Sequence, residues 1–183
     1  MRSLPAAVLI LAMAAALLPE VPRYAAEHRL HRATATFQSL VAGPHAVPDL
    51  DRALAQIGST ALGAAPALPG DWRPINLAGS AFLLAHRPDR ALDTYGKALE
   101  LGERPELDLN LGRAYASLGR RERAVSAFLR AGWVSPAVLE GLPKEVREPL
   151  WLEIGRLEQR LVTGRLPGPP PLPLEGLGQS GGG

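Results

Sequence analysis

The chain has 183 residues, 46% of them hydrophobic and 21% charged, which is the balance of a folded protein rather than a disordered one. Its net charge is only +2, and the densest basic run, Arg120 to Arg123, is broken by Glu122; this reads as a solvated helix start and argues against a nucleic-acid partner. Cysteine is absent, which excludes a disulfide framework and any thiolate metal site.

Aromatic residues make up 5% of the chain, so its core must rest on Ala and Leu, side chains that suit closely packed helices better than sheets. Lysine occurs only at Lys97 and Lys144, beside many Arg, Ala, Gly and Pro. That bias is expected of a GC-rich bacterial genome.

Residues 1–23 read as a signal peptide or membrane anchor. Met1-Arg2-Ser3 supplies a basic start, and Leu4 to Leu18 is an uncharged, mostly apolar run. The run is shorter than the roughly 20 apolar residues of a usual membrane span. Its small residues, Ala12 and Ala14 to Ala16, lie inside the run rather than at a cleavage point beyond it. A retained anchor is therefore preferred to a cleaved signal, and both to a soluble core helix. Arg23, Arg29 and Arg32 behind the run favour a cytoplasmic body. The signal-like order of basic, apolar and small residues favours export. Export is the expectation: a single span in the inner membrane with a periplasmic body, or the periplasm after cleavage.

Residues 24–70 come next. Ala26, Leu30, Ala33, Phe37 and Leu40 recur at steps of three or four, the mark of an amphipathic helix from Tyr24 to Val41 that packs on the body. His28 and His31 lie on or near its polar side and lack the further ligands a metal would need. Gly43, Pro44 and Pro48 break the helix. Asp49 or Asp51 then caps a second helix with Leu50, Leu54, Ile57 and Ala61 on its apolar side. Gly63 through Gly70, with Pro66 and Pro69, reads as a linker.

Residues 71–163 hold the most informative pattern. Gly79 and Gly112, Phe82 and Tyr115, Ala91 and Ala124, Tyr95 and Phe128, and Ala98 and Ala131 are pairs separated by one constant interval. An interval of this length, about 33 residues, means stacked supersecondary units. Small residues let paired helices approach, and large rings fill the space between them. Gly119 stops the first helix of the later unit, His86 to Asp89 do so in the earlier one, and Pro136 ends the second unit. Glu145 to Val162 forms a capping helix with Leu150, Ile154, Leu157 and Leu161 in its stripe, beginning near Pro149. Trp133, Val134, Val138 and Leu139 join it to the repeats.

At Leu111-Gly112, Tyr115, Ala124, Phe128, Ala131 and Pro136 the chain resembles the tetratricopeptide repeat family. Ala78-Gly79, Phe82, Ala91, Tyr95 and Ala98 give a second, less complete copy. The aromatic usual at the start of the first helix is replaced by Asp108 in the later unit. The resemblance implies an all-α fold of antiparallel helix-turn-helix repeats: two units plus capping helices in a short right-handed solenoid. It also implies a concave groove lined by Arg73, Asn76, Ser80 and Leu83 from one unit and by Glu106, Leu109, Asn110, Arg113 and Ala116 from the next. Asn110 and Arg113 offer an amide and a guanidinium to a peptide backbone or carboxylate.

Residues 164–183 are rich in Pro and Gly. They read as a plain disordered end, with a docking segment for an aromatic groove as the other possibility. Gly176 to Gly181 matches a dinucleotide glycine pattern by letters, but it follows a Pro-rich stretch and precedes no helix. No His-Glu-x-x-His motif and no phosphate loop ending in Gly-Lys-Ser/Thr occurs.

The expectation is thus a non-catalytic scaffold or adaptor of the bacterial envelope, without metal or cofactor. It binds a protein partner through the groove and the membrane through its N-terminal segment. The alternative is a structural subunit of a membrane-bound complex for polysaccharide assembly, secretion or pili.

Overall fold

The computed structural model describes residues 20–43, 49–165 and 168–170, together with isolated positions between 8 and 18. Among the described residues the regular structure is entirely helical. The helices are α1 (Glu20–Ala42), α2 (Leu50–Ala64), α3 (Arg73–Leu84), α4 (Pro88–Glu100), α5 (Pro105–Ser117), α6 (Arg121–Val134) and α7 (Lys144–Val162). Short 3-10 turns follow α2 (Ala65–Ala67) and α6 (Pro136–Gly141). Each α-helix packs chiefly on the helices before and after it in sequence, and α3 also touches α1 and α5.

Local signals set most boundaries. Asp49 caps α2 by accepting from the amide of Arg52 at 3.2 Å, which decides between the two candidate aspartates. The cap residue of α3, Trp72, makes no side-chain cap bond; Asp71 just before it forms a turn by accepting from the amide of Arg73 at 2.9 Å. Prolines stand in the first turns of α3, α4 and α5, where a missing N–H costs nothing. α3 ends on His86 in the left-handed conformation (φ 54°), and α5 ends on Gly119 (φ 71°). The closing hydrogen bonds match: the Arg87 amide donates to the Phe82 carbonyl and the Arg120 amide to the Tyr115 carbonyl, each at 2.9 Å. His86 does, with a side chain, at the end of α3 what Gly119 does at the end of α5.

The core is chiefly alanine and leucine, with the rings of Tyr95, Tyr115, Phe82 and Phe128 and with Ile57 and Ile154. Ala78, Ala81, Ala91, Ala98, Ala114, Ala127 and Ala131 are wholly buried, and so are Tyr95 and Tyr115. The small residues act as expected. A methyl added at Gly79 would sit 2.5 Å from the Tyr95 ring, and one at Gly112 would run into the Phe128 ring. The same device occurs at Gly58 against Phe82, and at Gly132 against Leu139 and Ile154. Two cation–π contacts are alike: Arg90 of α4 over Phe82 of α3 at 6.0 Å and Arg123 of α6 over Tyr115 of α5 at 5.9 Å.

Three expectations change. Gly63 lies inside α2, and the expected linker is a helix end, a 3-10 turn and the buried Leu68. α7 starts at Lys144 and runs through Pro149. Burial of Leu150 and Ile154 offsets the hydrogen bond that this proline cannot make. Leu161, expected in the same stripe, is 42% exposed. α7 has 19 residues against 14 in α6, so it is longer by about 7 Å at 1.5 Å per residue, and its last turn lacks cover.

α1 packs on α2 through Ala26, Leu30 and Ala33, with Phe37 and Leu40 half-buried against the core. The expected anchor falls largely outside the described residues, as do Pro44, His45, Pro48 and residues 171–183. Val8, Leu11, Met13, Leu17, Leu18, Val21 and Tyr24 are all exposed. No helix among the described residues is long and apolar enough to cross a membrane.

Candidate functional site

A cavity of about 440 Å³ opens between α1 and α3. Leu30 and Phe37 of α1 and Leu77 of α3 give it an apolar floor, and Glu27, His31, Arg73, Asn76 and Ser80 give it polar walls. α1 and α3 are tied at one end by Arg73. Its guanidinium grips Asp71 at 2.6–3.0 Å and reaches the Glu27 carboxylate at 2.9 Å. Burial works against ionisation of Asp71, but hydrogen bonds and charge from Arg73 outweigh it and lower its pKa. The Asp71 bond raises the pKa of Arg73, burial opposing.

Asn76 carries the polar surface onward from this wall. Asn110 of α5 donates to Asn76 of α3 at 3.2 Å, and Arg113 donates to Asn110 at 3.1 Å. Arg113 also donates to the Gly141 carbonyl, at 3.0 Å, at the end of the second 3-10 turn. All three side chains are half-buried. Both acceptors of Arg113 are neutral, and among the described residues it takes part in no ion pair. Among the described residues no carboxylate pairs with its positive charge. Ser80 meets the Tyr95 hydroxyl at 3.2 Å, and burial pushes the Tyr95 pKa up.

The family models hold no match for this chain, and neither do the curated proteins or the solved structures.

Of the residues expected in a groove, Arg73, Asn76 and Ser80 line the cavity, and Asn110 and Arg113 extend its wall. Leu109 is 8% exposed and belongs to the core. Leu83 is half-buried and Glu106 is exposed, both outside the cavity lining. Ala116 lines a second, more apolar cavity of about 560 Å³ between α6 and α7. The α1 wall was not read from the sequence. Leu30 and Phe37 announced a packed helix but not the partner it packs on.

One further cluster was missed. Asp108 is completely buried beside Glu103; neither of its carboxyl oxygens accepts a hydrogen bond, and in the protonated form it donates to the Glu103 carboxylate. Burial, reinforced by the negative charge of Glu103, pushes its pKa up to about 7. Glu103 itself is bound through both oxygens by Arg130, which lowers its pKa. No group of three or more His, Asp or Glu suited to a metal occurs among the described residues.

Proposed function

We propose that this protein is a non-catalytic scaffold or adaptor of tetratricopeptide type, which captures a protein partner on the surface formed by α1, α3 and α5. The repeat reading rests on contacts that recur at one constant interval along the chain. They are a glycine under a ring, the helix-ending hydrogen bonds and the Arg-over-ring pairs. Read this way, α3–α4 and α5–α6 are two antiparallel helical hairpins of a short right-handed solenoid. α1, α2 and α7 cover the apolar faces that two units cannot bury alone.

One observation carries the binding function. The row Asn76–Asn110–Arg113 crosses from one hairpin to the next, half-exposed, and ends in a cation that no carboxylate of the described chain neutralises. Amides so placed satisfy the backbone of an incoming segment, and the guanidinium selects an acidic group on it. The two internal bonds of Arg113 fix its fork before the partner arrives, which reduces the ordering cost of binding.

The proposed setting is the bacterial envelope, with the apolar N-terminal segment holding the chain at the inner membrane or directing it to the periplasm. A structural subunit of a membrane-bound complex is the second reading. It is favoured by one observation: the start of α1 leaves Val21 and Tyr24 61% and 75% exposed, on a helix whose middle is packed on the body.

Replacing Asn110 and Arg113 together by Ala tests the two readings. The adaptor reading expects capture of the partner from host membranes to be lost while helical content stays unchanged. Capture that survives this change but is lost on deletion of residues up to Val41 would overturn the groove in favour of the subunit reading.

A further inference from the structure

We propose that the surface around Arg130 is a docking site for an extended, proline-rich peptide, and that the chain's own residues 168–170 occupy it. This site is separate from the α1–α3–α5 surface and does not depend on the function proposed for it. Arg130 of α6 is mostly covered, its side chain being 16% exposed. Its Nε and Nη2 are committed to the two oxygens of Glu103. That fork fixes the plane of the guanidinium and leaves Nη1 directed away from Glu103. Nη1 donates to the carbonyl of Pro170 at 3.0 Å. Pro170 is buried, whereas Pro169 beside it is exposed, so one ring of the segment seats on the body and the next faces water.

The chemistry suits a proline-rich ligand. Proline has a carbonyl but no N–H, so a run of prolines presents acceptors alone, and an immobilised arginine presents donors alone. Such a segment is extended before it binds, and little conformational entropy is lost on docking. In sequence, Pro167, Pro169, Pro170, Pro171 and Pro173 make residues 164–173 proline-rich. Reach is adequate: eight residue-to-residue steps lead from Val162 to Pro170, a span of up to about 28 Å, and α7 packs on α6, which bears Arg130.

The full chain has no cysteine, so Gly168→Cys takes a single spin label. A side chain there meets no atom within 4 Å. Electron paramagnetic resonance then reads the docked and free populations directly. The label is expected to move slowly, to the same extent at every protein concentration. An excess of synthetic peptide with the sequence of residues 164–173 is expected to release it. Arg130→Gln is expected to shift the docked-to-free ratio about tenfold towards free, the weight of a charge-assisted hydrogen bond. Pro170→Gly changes the ligand and leaves the body intact, so it decides the matter if Arg130→Gln fails to fold. A fast label in the parent chain would overturn the proposal. So would slow motion indifferent to both Pro170→Gly and the peptide, or slow motion that appears only as concentration rises, which would seat the segment on a second copy.

Discussion

Asp108 makes the chain lose stability as pH rises towards neutrality, the reverse of the usual behaviour of a paired carboxylate. In the unfolded chain its pKa is near the ordinary 3.8; in the fold burial and Glu103 raise it to about 7. Between those values the folded state holds a proton that the unfolded state has released. The linkage slope is then negative, and stability falls across that window and levels off above it. A displacement of about 3 units, at 1.36 kcal/mol each, amounts to roughly 4 kcal/mol. That is a large share of the ~5–15 kcal/mol that holds a typical domain together. Glu103 and Asp71 have lowered values, so they withdraw stability only at the acid end and leave the window above about pH 5.5 clear. Urea unfolding followed by far-ultraviolet circular dichroism, at constant ionic strength from about pH 4.5 to 8, measures the effect. Asp108→Asn keeps the shape, donates to Glu103 and cannot ionise. It should match the parent at the acid end, exceed it by several kcal/mol at pH 8, and lose the slope. A flat or rising parent curve, or an Asn variant with the parent's slope, would refute the reasoning.

Gly112→Ala should destabilise the fold by about 1–3 kcal/mol, because its methyl enters the space of the Phe128 ring. Combining it with Phe128→Leu should cost less than the sum of the two single changes, as a double-mutant cycle by thermal unfolding will read. His86→Gly should raise stability by up to about 1 kcal/mol, since the residue already sits at φ 54° and glycine relieves that strain. A lower melting temperature for this variant would contradict the account of how α3 ends.

The helix pairs were legible because scarce residues carried them. Gly79, Tyr95, Gly112 and Phe128 recur at a fixed spacing, and each glycine lies under its ring. Gly58 under Phe82 uses the same contact, but at the same interval further along the chain stands Ala91, so no second glycine announces it. Pro149 misled the reading because a local rule was set against burial of Leu150 and Ile154, and burial won. Leu109 was placed in the groove by its position in the repeat; its burial instead follows from which side of α5 faces the core. The bond of Arg113 to Gly141 was out of reach, since a backbone carbonyl in a 3-10 turn leaves no trace in residue identity. Asp108 was noticed only as a missing aromatic. Its chemistry needs Glu103 and Arg130 brought beside it, which composition does not reveal.

Site-specific photo-crosslinking in intact cells of the native host tests the proposed receptor surface most directly. A photoreactive residue at Gln38 or Ser80, on the cavity wall, is compared with one at Glu122, exposed on α6. The account predicts one discrete crosslinked protein from the two cavity positions and none from Glu122. Equal crosslinking from all three positions, or none from the cavity of a folded variant, would contradict it.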